Sequence, residues 1–400
     1  MRILLTGQVG LNKSKYLEEI KQKATKKGYK LEFESIGQKM IENYTAKIDD
    51  ATILNLPKAV LDLLRQTTWK QILNKLTYST EENYFYVLNT HSVFRWHHGL
   101  FPALDLKLIA EFAPDMVLVL IDDILEVKKG LQRRNTDLFQ FWELLAWREE
   151  EIWFSKFIAD SMKEVLSKKV NFFIVPKSQG SEFFLRLITK GRIEPKVYIS
   201  FPITGAPSEE QYQINLFKEK IMSEFIAFDP YSIKDRELTF TYYTVENEIK
   251  EQINPVLEPL ANLPLPNKTI WRPYYKDNLS PLTLTKLKFG DVELLGRELL
   301  SAIENIDSQI ISRDYLLIDQ ADFVMMYIRM DDRGNPSISA GCQSEMVYAY
   351  SGGKKVYVVF AGGERKLSPW VTQFSEVFTN LNDAFNFILS EYKNKKGGTT

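Results

Sequence analysis

Twice in this chain a short apolar run ends in a glycine-containing turn and gives way to an amphipathic helical pattern. The first is Arg2–Thr6, before a Lys-rich helix; the second is KVYISFPITG, starting at Lys196, before Ser208–Glu224. A strand that hands over to a helix must reach its neighbour by a crossover, and repeated crossovers build a parallel sheet with helices on its faces. Further apolar runs stand at Tyr84–Leu88, Met116–Ile121 and Asn171–Val175, then at 322–328 (DFVMMYI) and 354–360 (KKVYVVF). Helical patterns separate them at Lys58–Leu76, Leu138–Leu166 and around Ser344–Tyr350. The expected fold class is α/β, in two domains, each a parallel sheet flanked by helices.

A chain of 400 residues is long for one core. The polar stretch 189–195 (TKGRIEP) separates the two strand-first units, which places one domain at 1–190 and the other at 195–392. Residues 231–306 carry Pro255, Pro259, Pro264, Pro266, Pro273 and Pro281 and read as an insertion in the second domain, part helix and part loop. Within it, Trp271, Tyr274 and Tyr275 are expected to fill a core rather than stack on a base. The tail 393–400 (KNKKGGTT) is expected to be disordered.

Charge and cysteine content narrow the function classes. Lys plus Arg (51) nearly equals Asp plus Glu (52), so no basic excess argues for a nucleic-acid partner. Cys342 is the single cysteine and there are three histidines, which leaves no intrachain disulfide and no Cys/His zinc site to expect. The start MRILLTGQVG lacks a signal-peptide pattern and no long apolar run follows, so a cytoplasmic protein without a membrane partner is expected.

Gly7-Gln8-Val9-Gly10-Leu11-Asn12-Lys13-Ser14 sits between a strand and a helix and fits a phosphate-binding loop, with Asn12 in place of its second fixed glycine. Such a loop holds phosphate oxygens on backbone N–H groups and a helix N-terminus; the lysine adds charge and the serine hydroxyl can meet magnesium. Asparagine tolerates left-handed backbone, so Asn12 is permissible. Farther on come Arg65-Gln66, then Asn89-Thr90-His91-Ser92, His98-Gly99-Leu100-Phe101-Pro102, Asp122-Asp123 and Arg133-Arg134. In this order and spacing, residues 1–180 resemble the archaeal-type adenylate kinases and related P-loop nucleotide kinases. The resemblance implies ATP with Mg2+, bound through Gly7, Gly10, Asn12, Lys13, Ser14, Arg133 and Arg134, with Ser14 on the metal. Two departures stand out: Asn89 replaces the usual aspartate, and the stretch after Arg134 is short of further arginines. Nucleotide binding is therefore expected more firmly than phosphoryl transfer. His91 is read as a structural residue behind the site, and His97 and His98, beside Trp96, as either packing or lining a base pocket.

In the second half, Tyr198-Ile199-Ser200-Phe201-Pro202-Ile203-Thr204-Gly205 closes a strand. Arg313-Asp314-Tyr315 is read as leading a helix into Ala321-Asp322, and Ser339-Ala340-Gly341-Cys342-Gln343-Ser344-Glu345 precedes Tyr348-Ala349 and Gly353-Lys354. These motifs resemble the nucleoside 2-deoxyribosyltransferase family over about 196–230 and 307–390, with Phe201 in place of a usual glycine. The resemblance implies catalysis by Glu345 as the carboxylate beneath the anomeric carbon, Asp314 at the leaving base, and Tyr198 orienting the glutamate or sugar. It places Pro202, Gly205, Ser339 and Gly341 at the substrate, and implies a homo-oligomer. Glu345 is read as opening a helix whose dipole keeps it ionised, and Asp322 as a structural turn residue. Cleavage of an N-glycosidic bond builds positive charge on the sugar, which is the reason a carboxylate is wanted there. Ser339, standing where many relatives carry an acid, leans toward a nucleotide substrate and water as acceptor.

The expected function is cleavage or transfer of the N-glycosidic bond of a (deoxy)nucleotide or nucleoside, coupled to a nucleotide-binding first domain. Two alternatives remain. One is a nucleotide-sensing defence effector in which a degenerate kinase domain gates depletion of nucleotides or NAD. The other is a catalytically inactive binding module.

Overall fold

The computed structural model describes residues 1–44, 53–76, 81–96, 99–133, 139–202, 208–245, 247, 286–331 and 333–397. Two compact units divide the chain, each from two segments: Met1–Ser181 with Ile233–Ile310, and Glu182–Ser232 with Ile311–Thr400. Both units are α/β, built on parallel sheets flanked by helices.

In the first unit, β1 (Arg2–Thr6), β2 (Lys30–Ser35), β3 (Tyr84–Asn89), β6 (Met116–Ile121) and β7 (Asn171–Pro176) form a parallel sheet in the order β2-β3-β1-β6-β7. Between them β4 (Val93–Trp96) and β5 (Gly99–Pro102) make a separate antiparallel pair. Every residue of β3 and β6 is buried, as a strand covered on both faces requires, and their sequences are correspondingly near-continuous apolar runs. Strand β2 is half-exposed at the edge, and its alternating KLEFES escapes a search for apolar runs. Trp69 from the helix Lys58–Lys75 and Ile158 and Met162 from the helix Phe141–Leu166 pack on one face. Trp69 is fully buried, and truncating such a ring costs about 3–5 kcal/mol.

The described residues 233–245 and 286–306 of the segment read from sequence as an insertion in the second domain fall in this first unit. Asp235, which begins a helix over 235–245, pairs with Arg148 at 2.6 Å with both side chains almost completely buried. Its Oδ1 accepts from the Ile124 N–H, which starts the helix Ile124–Gln132. The Arg148 guanidinium also donates to Gln309 Oε1 at 3.1 and 2.7 Å, and Gln309 donates to the Leu145 carbonyl. A buried arginine without such partners would cost several kcal/mol, so these contacts fix where the segment packs. A short hairpin, β10 (Lys286–Phe289) with β11 (Val292–Leu295), precedes the long helix Gly296–Gln320. Trp271, Tyr274 and Tyr275 lie outside the described residues.

The second unit carries β8 (Lys196–Ser200), β9 (Ile226–Phe228), β12 (Phe323–Tyr327), β15 (Lys355–Val359) and β16 (Glu376–Phe378) in the order β16-β15-β12-β8-β9, all parallel. A two-residue ladder, β13 (Arg329–Met330) with β14 (Pro336–Ser337), follows β12. Phe225 stacks on Phe385 at 5.4 Å and meets Phe323 edge-on, closing the core between sheet and helices. The last helix, Leu381–Gly397, extends through most of the tail expected to be disordered. Among the described residues no helix is long and apolar enough to cross a membrane.

Candidate functional sites

The phosphate-loop motif forms a tight turn between β1 and the helix Lys13–Lys26. Gly7 has φ +134° and Gly10 φ +99°; a Cβ there would stand 2.5 Å from the Leu120 carbonyl oxygen and 2.7 Å from that of Val127. Asn12 sits at φ 53°, ψ 47°, the left-handed geometry that the substitution for glycine requires. Gly130, which the sequence reading passed over, comes closer still: a Cβ on it would lie 2.0 Å from the Gly10 carbonyl oxygen. An isolated glycine inside a helical pattern was the available signal.

Glu151 is the second residue missed. Its carboxylate accepts from the backbone N–H groups of Gly7 (2.8 Å), Ser92 (2.8 Å) and Val93 (3.1 Å), tying the loop to the segment after β3. Burial pushes its pKa up against the pull of Lys13 and these three donors. Glu151 recurs at helical spacing with Leu144, Trp147, Arg148, Ser155 and Ile158, all buried, so the pattern marked it as inward-facing.

Lys13 is buried and donates to the Gly7 carbonyl, with His91 Nδ1 3.2 Å from its Nζ. His91 therefore stands beside the loop lysine, its ring 4.8 Å from Phe94. Together with Ser14, Ser35, Gln38, Asn89 and the apolar side chains Ile41, Ile53, Leu54 and Phe94, they line a cleft of about 300 Å3. It opens at the carboxyl ends of β1, β2 and β3, where ligand sites of open parallel sheets lie. A second depression of about 250 Å3 adjoins Gly10 and Asn12 and carries Lys15, Arg133 and Lys177, with Glu19 and Glu126. Arg134 and the histidines His97 and His98 lie outside the described residues.

The donor set of the larger cleft does not fit magnesium. Among the described residues its lining contains no aspartate or glutamate. Asn89 donates through Nδ2 toward Ser14 Oγ (3.5 Å) and Ser35 Oγ (3.4 Å), while its Oδ1 is buried without a hydrogen-bond partner. Glu18, Glu34 and Glu42 line a neighbouring depression that shares Ser14, Ser35 and Gln38.

In the second unit, period-two alternation puts Tyr198 and Ser200 on one face of β8 at its carboxyl end. Both hydroxyls reach Glu345: Tyr198 donates to Oε1 at 2.9 Å and Ser200 to Oε2 at 2.6 Å. Burial, with the charge of Asp314 next, pushes the Glu345 carboxyl up to about 8, against the hydroxyl donors and Arg313. Tyr198 is raised well above its ordinary value by burial, then by Asp314 and Glu345. Arg313 donates through Nε and Nη2 to Asp314 Oδ1 at 3.1 and 2.9 Å, and to the Pro230 carbonyl at 3.0 Å. Cys342 lies against Ser200 and Ser339, its thiol pushed up to about 11 by burial and Glu345.

No protein-family model matches the chain, and no curated protein matches it either.

The three residues expected to act together, Glu345, Asp314 and Tyr198, share one electrostatic cluster, to which Ser200 and Arg313 are added. Ser200 was legible as the residue two positions beyond Tyr198. Two local readings need correction. Glu345 is the sixth residue of the helix Ala340–Ser351, past the first turn where the dipole acts, so burial prevails and its acid form is favoured. Asp314 does not lead a helix but lies deep inside Gly296–Gln320. Ser339 caps the helix by accepting from the Cys342 N–H at 3.2 Å, and Gly341 is exposed in the first turn. Pro202 is buried after the strand, while Gly205 lies outside the described residues. Asp322 holds the opposite end of the sheet, accepting from Lys196 N and pairing with its Nζ, a structural role.

Proposed function

We propose that the second unit cleaves or transfers the N-glycosidic bond of a nucleoside or (deoxy)nucleotide, and that the first unit is a P-loop, nucleotide-kinase-like unit that binds a nucleotide. The observation carrying the reading is the convergence of the Tyr198 and Ser200 hydroxyls on both oxygens of Glu345, with Asp314 as a second carboxylate in the same buried cluster.

Two carboxylates that repel each other in a dry site share one proton, and cleavage consumes both things such a pair holds. When the C1′–N bond breaks, its electron pair leaves with the base, which takes the proton. The positive charge left on C1′ is met by the carboxylate, before water or a second base takes its place. At neutral pH the raised Glu345 carboxyl holds its proton, while Asp314 lies hydrogen-bonded to the Arg313 guanidinium. Glu345 acts as the carboxylate only after the proton has moved toward Asp314 and the leaving nitrogen. Tyr198 and Ser200 hold the Glu345 carboxyl in place throughout.

The gating alternative draws its support from the cleft beside Lys13, whose described lining residues offer a phosphate their amides and a lysine but offer a metal no carboxylate. Purified protein would be given deoxynucleosides, nucleoside and deoxynucleoside monophosphates and NAD, with and without ATP and Mg2+, beside Glu345→Ala. Free base that appears only with Glu345 intact supports the glycosidic reading, and dependence on ATP supports gating. Absence of base release from every substrate under both conditions removes the reading and leaves the inactive binding module.

A further inference from the structure

We infer that the cleft beside Lys13 takes the phosphate of a nucleotide without a divalent metal. This rests on the reading of the first unit as a nucleotide-binding unit and goes beyond it by assigning the ionic form of the ligand.

Two independent features of the cleft point to a bound ligand: an anion-binding turn and an unmet buried acceptor. The first is the loop, where left-handed backbone at Gly10 and Asn12 and the start of the helix Lys13–Lys26 form an anion-binding turn. Lys13 is the one lysine or arginine among the described residues of the lining, with His91 beside it. The second is Asn89, which is 4% exposed and lines the same cleft with a buried Oδ1 that has no hydrogen-bond partner. That oxygen is an acceptor waiting for a donor, such as a ligand hydroxyl or an ordered water, because an unmet buried acceptor is costly.

Magnesium dehydrates reluctantly and is held in nucleotide sites by one or two carboxylates together with the phosphates. Here the amide of Asn89 stands between Ser14 and Ser35 and contributes no charge. The phosphates of a nucleotide already chelate magnesium in solution, so a site without a carboxylate gains nothing by taking the metal with them. It loses part of the attraction between Lys13 and the unneutralised phosphate. Metal-free binding is then as tight as metal-loaded binding, or tighter.

The test is calorimetric titration of the full chain with ATP, ADP, AMP and inorganic pyrophosphate, each in EDTA and in excess magnesium chloride. The expected result is binding in EDTA, weakened in Lys13→Ala, with magnesium strengthening affinity by less than about threefold. Asn89→Asp should reverse the preference: the added carboxylate repels bare phosphate, weakening metal-free binding by about tenfold or more, and magnesium restores it. Tightening of the wild type by about tenfold or more in magnesium overturns the inference while leaving nucleotide binding intact. If Glu18→Gln or Glu34→Gln abolishes that tightening, the neighbouring depression supplies the metal ligand, which equally overturns it. Failure of every probe to bind in either condition removes the phosphate-loop reading itself.

Discussion

Replacing Glu345 by glutamine should stabilise the second unit in alkaline solution. The carboxyl has an ordinary value of 4.5 and is pushed up to about 8 by burial and by Asp314. A raised folded value means that the folded chain holds a proton the unfolded chain has released. The stabilisation is complete below the unfolded value, is lost as pH rises through the window between the two, and stays lost above it. Each pH unit inside the window is worth about 1.36 kcal/mol, so between pH 5 and pH 9 the wild type sheds about 4 kcal/mol. Glutamine has no proton to lose, and its amide can still accept from one hydroxyl and donate to the other. Hydrogen exchange of the central strands β8 and β12, wild type against Glu345→Gln at matched pH, cancels the intrinsic pH dependence of exchange. The ratio of protection should grow by somewhat under a thousandfold from pH 5 to pH 9, about 4 kcal/mol. A ratio that stays constant over that range would refute the reasoning, because Glu345 would then titrate as an ordinary exposed carboxyl.

The same carboxyl sets a pH–rate expectation: if the proton resting on Glu345 is the one delivered to the leaving nitrogen, base release is level below about pH 8 and falls about tenfold per unit above it. A rate that climbs up to about pH 8 and then levels off would mean that the base leaves without that proton. Gly130→Ala should cost about 1–3 kcal/mol and weaken nucleotide binding, since its methyl would meet the Gly10 carbonyl oxygen. Gly37→Ala, in a helix with nothing near its added carbon, is the matched control and should be neutral or stabilising in a thermal melt. Glu151→Gln turns an amide donor toward backbone N–H donors; a loss of about 1–3 kcal/mol is expected, and an unchanged urea midpoint would count against the buried anchor.

Local chemistry made much of this molecule legible. The strands Arg2–Thr6 and Met116–Ile121 and the helix Ser208–Glu224 coincide with their sequence patterns, because continuous apolar runs and helical spacing are properties of short windows. Tyr198 and Glu345 stand 147 residues apart, and their joint role was expected from the family resemblance of their motifs, not from any short window. What escaped depends on partners far along the chain. The proline-rich connection gave no sign that Asp235 would bind Arg148, 87 residues earlier, so its unit was misread. Glu151 lay in a run of three glutamates, where only the neighbours' spacing betrayed which one faces inward. The position of Glu345 within its helix decided between dipole and burial, and helix boundaries are what sequence fixes least well.

The exchange of segments between the two units has a consequence for how the protein is made. A ribosome delivers residues 1–181 first, yet Arg148 remains without Asp235 and Gln309 until 310 residues have emerged. By then β8 and β9 exist but their sheet partners β12, β15 and β16 do not. The first unit therefore cannot finish before Ile310 is made, nor the second before β16, and a product broken off before Asp235 carries a buried arginine without its counter-charge. A gene cut at residues 189–195 would leave the first unit without Asp235 and Gln309, although every strand of the second unit's sheet lies beyond the cut.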